Sequence, residues 1–274
     1  MSSADIRVPR LTVFTPFYKN LEFFDETIAS VLSQSYTDFE YLMVNDGPLE
    51  NAIAIEKKYN DPRIRILTTS SPLGLSGSRD YGLRQARGEL IAFIDSDDFC
   101  EPGRFEKQVR FLDSHPDHVL VGTGLRFIDE RSQTIGARDY PQDDEEIRRS
   151  IVVANCIAQP SVMARTIKLI EAGGYTHDFP AAEDYDVWLR LAGLGKFHNL
   201  AERLVAYRIH MASGKVLLLR PALRDTTRLK IRAIREYGFP LTPRVALSII
   251  VHLLLHLLPN RVIYWLFRRM IVAG

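Results

Sequence analysis

Two cysteines in 274 residues, Cys100 and Cys156, are too few for a disulfide framework, and they have no metal-ligand spacing. They fit a reducing compartment. No internal repeat and no low-complexity stretch is present, which excludes a repeat array. No signal peptide is expected at the N-terminus, because Asp5 and Pro9 interrupt any apolar run before Leu11 begins a strand. Chemistry in the cytoplasm is the expectation. A membrane-spanning run is missing from the most apolar region too. Val245 to Asn260 is uncharged, but its sixteen residues are broken by Pro259 and fall short of the roughly 20 needed to cross a bilayer. No large excess of charge of one sign marks the whole chain, and no nucleic-acid partner is expected.

What is present is an ordinary globular balance, 46% hydrophobic and 25% charged. The length allows one large α/β domain, or a domain plus an appendage. The near-neutral total of +1 hides a division. From Lys215 to Gly274 there are 11 Lys/Arg against two acids, Asp225 and Glu236, for a local net of +9. Residues 1–214 carry 24 Lys/Arg against 32 acids, a net of −8. An acidic body with a basic tail implies two tasks in one chain, unless the tail is simply a solvated basic helix.

Through the first hundred residues strands and helices alternate. Leu11-Thr12-Val13-Phe14 is a short apolar run closed by Pro16, and Leu21, Phe24, Ile28, Val31 and Leu32 then repeat at helical spacing. Phe39 to Val44 and Ile64 to Leu67 read as strands, with a helix over about 49–59 between them. A Gly/Ser-rich turn, a helix near 75–86 and a strand Leu90 to Ile94 follow. Near-continuous apolar strands joined by helices predict an α/β fold with a mostly parallel sheet covered on both faces. Beyond residue 100 the alternation loosens. The pattern predicts a helix over about 102–114, a strand around Val119 to Leu125, polar loops to residue 143 and a helix over 183–192. Val152 to Met163 is mixed. The composition changes near residue 213, which divides a body of 1–212 (halves 1–98 and 99–212) from a helical extension of 213–274.

Asp95-Ser96-Asp97-Asp98 follows the apolar strand. Ligands of parallel α/β sheets gather at the carboxyl ends of strands, and three crowded carboxylates repel unless a cation lies among them. Oxygen-rich sites suit Mg²⁺ or Mn²⁺, although Asp also favours a plain turn or helix start. Asn45-Asp46-Gly47 ends a second strand at the same edge; it is a turn, or it aims Asp46 at a nucleoside N–H or hydroxyl. Gly74-Leu75-Ser76-Gly77-Ser78-Arg79 enters a helix whose free N–H groups and Arg79 suit a phosphate, or is a flexible turn. Glu183-Asp184 opens a helix in which Asp184, Val187, Trp188 and Leu191 share one inward face. The positive helix end keeps Asp184 ionised as a base requires, unless the two acids only complement the dipole. His210, in Tyr207-Arg208-Ile209-His210, is a structural histidine or a metal ligand.

Taken together these stretches resemble the inverting family 2 glycosyltransferases of the A-type fold, from about Leu11 to His210 and in the family's order. Thr12 to Tyr18 looks like the opening strand that packs on the nucleotide. Ser30-Val31-Leu32-Ser33-Gln34-Ser35 and Asn45-Asp46-Gly47 match the next helix and strand end, and Asp95-Ser96-Asp97 the metal and sugar-nucleotide motif. Gln159-Pro160-Ser161 and Gly173-Gly174-Tyr175 resemble the acceptor half, and Glu183-Asp184 the motif that carries the base. The sequence departs from the family at Asn45, Pro48, Pro72 and Asp80. The resemblance implies a single Rossmann-like A-type domain that transfers a hexosyl group from a nucleotide-sugar to a saccharide or lipid-linked saccharide, as in cell-envelope polysaccharide assembly. Asp184 would be the catalytic base. Thr15, Pro16, Tyr18, Asp46, Arg79, Asp95 and Ser96 would bind the nucleotide-sugar, and Asp97 and His210 the metal. Glu183, Gln159 and Trp188 would line the acceptor side. A UDP- or dTDP-sugar is favoured, because a carboxylate at Asp46 can accept from the N3–H of uracil or thymine.

Two alternatives are weighed beside it. Asp95-x-Asp97 after an apolar strand also suits a haloacid-dehalogenase-like phosphatase, but Phe99 stands where that family wants Thr or Val. A sugar-nucleotide-binding protein without turnover is the other. In the extension, Arg220, Arg224, Arg228 and Arg232 recur every four residues as a basic stripe on a helix. Ser248, His252 and His256 form only a narrow polar edge on the apolar segment, and Trp265, Phe267, Arg268 and Arg269 follow. This mixture predicts a helical pair lying on an anionic membrane surface, at the inner face of the cytoplasmic membrane, or one packed on the body or a partner.

Overall fold

The structure, a computed structural model, describes residues 8–19, 21–210, 219–259 and 262–263. Its first half follows from the apolar runs. Strand β1 (Leu11–Phe17) lies parallel between β2 (Phe39–Asn45) and β4 (Leu90–Phe93), and β3 (Ile64–Thr68) lies parallel outside β2. Side chains on a strand alternate between faces. Val13, Tyr41, Met43 and Ala92 therefore enter one core, beneath α1 (Phe24–Leu32), α2 (Leu49–Lys58) and α4 (Arg104–Ser114). Phe14, Leu42, Val44, Ile91 and Phe93 enter the other, beneath α3 (Gly74–Gln85) and, later in the chain, α7 (Glu183–Leu191). The result is three layers, as predicted for strands apolar on both sides. Gly82 on α3 marks how close the layers come, since a Cβ there would lie 2.0 Å from the Phe14 ring.

The second half widens the sheet. Strand β8 (Met163–Arg165) joins β4 antiparallel, β6 (His118–Ile128) joins β8, and β9 (Lys196–Arg208) runs parallel to β6, giving the order β3-β2-β1-β4-β8-β6-β9-β5. Strand β5 (Phe99–Cys100) pairs with β9, and β7 (Thr134–Arg138) with the far end of β6. The sheet is mixed, and its longest ladders are the parallel ones. The stretch expected as polar loop to residue 143 instead carries the end of β6 and all of β7. The mixed segment Val152 to Met163 resolves into a single 3₁₀ turn (Gln159–Ser161) leading into β8. Strand β9 was not legible as a strand, because register shifts in its pairing with β6 break the two-residue alternation. Helices α5 (Asp144–Ile151) and α6 (Thr166–Glu171) complete the body.

The extension forms α8 (Leu219–Glu236) and α9 (Pro243–Leu255), and Thr242 caps the latter by accepting from the Val245 N–H. Leu229, Ala233 and Val245 are buried in the same core as α7. The arginine stripe does not stay a free surface. Arg220 donates to the carbonyls of His256 and Leu258, and Arg228 and Arg232 lie over the Phe179 ring. The segment Arg261 to Met270 lies almost entirely outside the described residues.

Candidate active site

The carboxyl ends of β1, β2, β4 and β9 converge with the starts of α3 and α7, and each acid expected there has acquired its own partner. Asp97 Oδ2 meets His210 Nε2 at 2.9 Å, and this hydrogen bond raises the histidine's pKa above its usual value. Asp95 accepts from Arg79 at 2.9 Å, and Asp98 from the Arg208 backbone N–H at 2.8 Å. The crowded carboxylates are therefore engaged one at a time, by Arg79, His210 and the backbone of β9. Among the described residues no three His, Cys, Asp or Glu side chains gather as a metal site. Arg208, which sequence reasoning passed over, does much of the holding. It is buried over the Phe23 ring and donates to the Asp97 carbonyl, the Asp129 carbonyl and Glu26. Its signal was a lone arginine in an otherwise buried strand end.

Arg79 is the hinge of the arrangement. It is 4% exposed and pairs with both Asp95 and Glu183. Burial opposes its charge, but the two carboxylates outweigh burial and hold it protonated. Glu183 is buried as well, and burial, against the pull of Arg79 and helped by the Asp184 charge, pushes its carboxyl up to about 7. Asp184 beside it is half-buried, with Oδ1 accepting from the Tyr185 N–H at 2.7 Å and Oδ2 at 3.5 Å from Asn155. Its acidic neighbours are buried too: Glu183 is held inward by Arg79, and Asp186 by Arg190 at 2.7 Å. Asn155 carried no signal in the sequence.

The remaining candidates divide. Asp46 accepts from Thr69 Oγ1 at 2.8 Å and from the Leu73 and Gly74 N–H groups at 2.7 and 2.8 Å. The helix start expected to hold phosphate thus binds an anion from within the chain. Asn45, where the family has an acid, closes the turn by accepting from the Gly47 N–H and donating to the Pro48 carbonyl. Gly47 is obligatory there, because a Cβ would lie 2.1 Å from the Tyr18 carbonyl oxygen. Asp80, another departure, accepts from the Tyr175 N–H and pairs with Arg84. Thr15 is buried against the Tyr41 hydroxyl at 3.1 Å, Pro16 and Ser96 are partly open, and Tyr18 is exposed. Gln159 is bound to Tyr175 at 2.8 Å, and Trp188 is wholly buried. Both side chains are thus turned into the core and offer almost no surface. A groove of about 760 Å³ between α5, the end of α7 and the α8–α9 turn contains none of Asp46, Asp95, Asp97 or Asp184.

The sequence pattern of Glycosyl transferase family 2 matches residues 12–170, more than half of the chain. This chain belongs to that family. As a nucleotide-sugar-dependent family 2 glycosyltransferase it has relatives in surface polysaccharide synthesis. The O-antigen biosynthesis glycosyltransferase WbnJ of Escherichia coli is 33% identical over 210 residues, covering 74% of this chain and 81% of its own. The amylovoran biosynthesis glycosyltransferase AmsE of Erwinia amylovora is 29% identical over 260 residues, covering 92% and 93%. Solved structures share the fold. They include TarS 1–349 of S. aureus, with a TM-score of 0.67 at 18% identity over 89% of this chain and 71% of that one. Another is the mannosyltransferase PcManGT of Pyrobaculum calidifontis in complex with GDP-Man and Mn²⁺, with a TM-score of 0.66 at 15% identity over 93% and 72%. Membership of family 2 removes the phosphatase alternative.

Proposed function

We propose that this glycosyltransferase transfers a hexosyl group from a UDP- or dTDP-sugar, with inversion, to a hydroxyl of a saccharide or lipid-linked saccharide in cell-envelope polysaccharide assembly. The observation that carries the reading is the placement of Asp184. It stands half-open at the start of α7, and its neighbour Glu183 is tied through Arg79 to Asp95 on the donor side. One buried cation thus fixes the spacing between base and donor loop, and such positioning supplies much of catalysis. The acceptor oxygen forms a bond to the anomeric carbon while its proton passes to the Asp184 carboxylate. The bond from that carbon to the diphosphate oxygen breaks, and the electron pair leaves with the diphosphate. Proton removal by a placed base contributes about 10²–10⁴-fold.

Asp97 and His210 fit a divalent ion, Mg²⁺ or Mn²⁺. An oxygen and a nitrogen donor face each other at 2.9 Å, on a loop that also carries Asp95, and hard ions combine such donors with diphosphate oxygens. When bound, the ion would neutralise charge on the leaving diphosphate. Three of about four acceptor positions on the Asp46 carboxylate are taken by the segment from Thr69 to Gly74, leaving one for a base N–H. The relatives' donors, UDP-GlcNAc in TarS and GDP-Man in PcManGT, both offer such an N–H. We take residues 1–212 as the catalytic body and 213–274 as an extension that holds the enzyme at the inner face of the cytoplasmic membrane. No helix among the described residues is long and apolar enough to cross one.

Product analysis over a panel of nucleotide-sugars tests the reading. Transfer from a UDP- or dTDP-sugar is expected; no transfer from any of them leaves a binding protein without turnover. Calorimetry in which CDP or CMP binds tighter than UDP would refute the role of Asp46.

A further inference from the structure

Helix α9 is packed inside out. Its inward pole carries Ser248 and His252 together with Val245, and its outward arc carries only apolar side chains after Arg244. Leu247 is 61% exposed, Ile250 52%, Val251 44%, Leu253 52% and Leu254 56%, and Leu257 just beyond the helix is 80% exposed. A helix on the surface of a globular protein turns these two faces the other way.

The rotation is fixed. Lys230 on α8 is fully buried and donates to the Val153 carbonyl at 2.7 Å and to Ser248, with its Nζ 3.2 Å from His252 Nδ1. Ser248 also donates to the Val153 carbonyl at 2.8 Å, and Arg220 binds the carbonyls at the far end of α9. Turning the leucines inward would strip the buried Lys230 of Ser248 and His252 and leave it the Val153 carbonyl alone, which is far costlier than exposing leucine. The apolar face is thus held outward, and something apolar must cover it.

From this geometry we infer that the outward face of α9 lies in the interface of an anionic bilayer, with the helix parallel to the membrane plane. The proposal rests on the peripheral-membrane reading above and narrows the contact from the helical pair to the leucines of α9. Thirteen residues make a helix of about 20 Å, too short to cross but suited to lie in the headgroup boundary. Charge selects the partner. The tail from Lys215 onward carries a net +9, and Arg224 and Arg228, each about 60% exposed, and Arg244 remain on its surface. Anionic lipid complements that charge, whereas a second copy docked face to face would bring two such tails together.

The test is flotation of the full-length enzyme with vesicles of equal parts phosphatidylglycerol and phosphatidylcholine at low salt. Wild type is compared with Leu247→Asp/Leu254→Asp and with a control of equal charge, Ile135→Asp/Ile167→Asp, on β7 and α6 instead of α9. Both pairs are exposed, so the fold is retained, and circular dichroism verifies it. Wild type and control are expected to float, and the α9 variant to lose at least roughly tenfold in partition, since each 1.4 kcal/mol is one factor of ten. If wild type and the α9 variant float alike, the membrane reading stands and the assignment to α9 falls. If wild type stays in solution, both fall. A wild-type dimer by light scattering that becomes a monomer in the α9 variant would show that a second copy covers the face, and overturn the proposal.

Discussion

Arg79 on α3 pairs with Glu183 at the first position of α7, across 104 residues of chain, so the starts of two helices far apart in sequence meet in one buried ion pair. Removing one partner of such a pair leaves the other buried and alone. Arg79→Met is expected to destabilise the fold by about 3–5 kcal/mol in urea unfolding. Glu183→Gln is expected to cost far less, with a pH signature. A carboxyl whose pKa rises on folding binds more protons folded than unfolded, so its stability is present below the usual carboxylate range and lost as pH climbs toward 7. The difference between Glu183→Gln and wild type should therefore move in the mutant's favour from about pH 4.5 to 7. A difference independent of pH would refute the buried, raised carboxyl.

Asp184→Asn is expected to abolish transfer while UDP affinity stays near wild type. The amide oxygen can still accept from the Tyr185 N–H, so the helix start is preserved, but the side chain cannot take a proton. Retention of more than about a tenth of the wild-type rate would exclude Asp184 as the base, the expected loss being about 10²–10⁴-fold.

Asp97→Ala is expected to remove both activity and its dependence on Mg²⁺ or Mn²⁺, because it deletes the carboxylate that faces His210. Full activity of the wild-type enzyme in excess chelator would refute the metal.

Lys230 gives a prediction about stability alone. Burial holds its amine down to about 8, so the folded state resists the charged form. Stability should be lowest below pH 8 and recover as pH rises toward the usual lysine range, a swing on the order of 3 kcal/mol. His252 beside it is held below its usual pKa by burial and by Lys230, so it stays neutral over that range. Lys230→Met, which removes the charge and leaves Ser248 bonded to Val153, is expected to gain most over wild type at pH 7 and least near pH 10. Urea midpoints at the two pH values decide it; a gap that stays constant would exclude a buried charge.

The sequence made the parallel half of the fold legible because each of its strands is short, apolar and followed by a helix of clear period. Asp95 to Asp98 stood out for the same reason, as acids stopping an apolar run. Their partners could not be read. Arg79 lies 16 residues before Asp95, and His210 lies 113 after Asp97, distances that only the sheet closes. The polar edge of α9 was legible as a pattern, but not its direction. Ser248 and His252 look like residues for water until Lys230, on another helix, takes Ser248 as an acceptor and lies against His252.

The loop after β4 is held by groups at the end of β9, the Arg208 side chain on the Asp97 carbonyl foremost among them. Those two residues are 111 positions apart. At about 5–20 residues per second of synthesis, Arg208 emerges roughly 6–22 s after Asp97. Over that interval the parallel strands already have their mutual partners, while the acidic loop has none of its cations from the last strand. An ordered acidic loop is therefore a property of the finished body, and a nascent chain carries the parallel strands long before that loop is held.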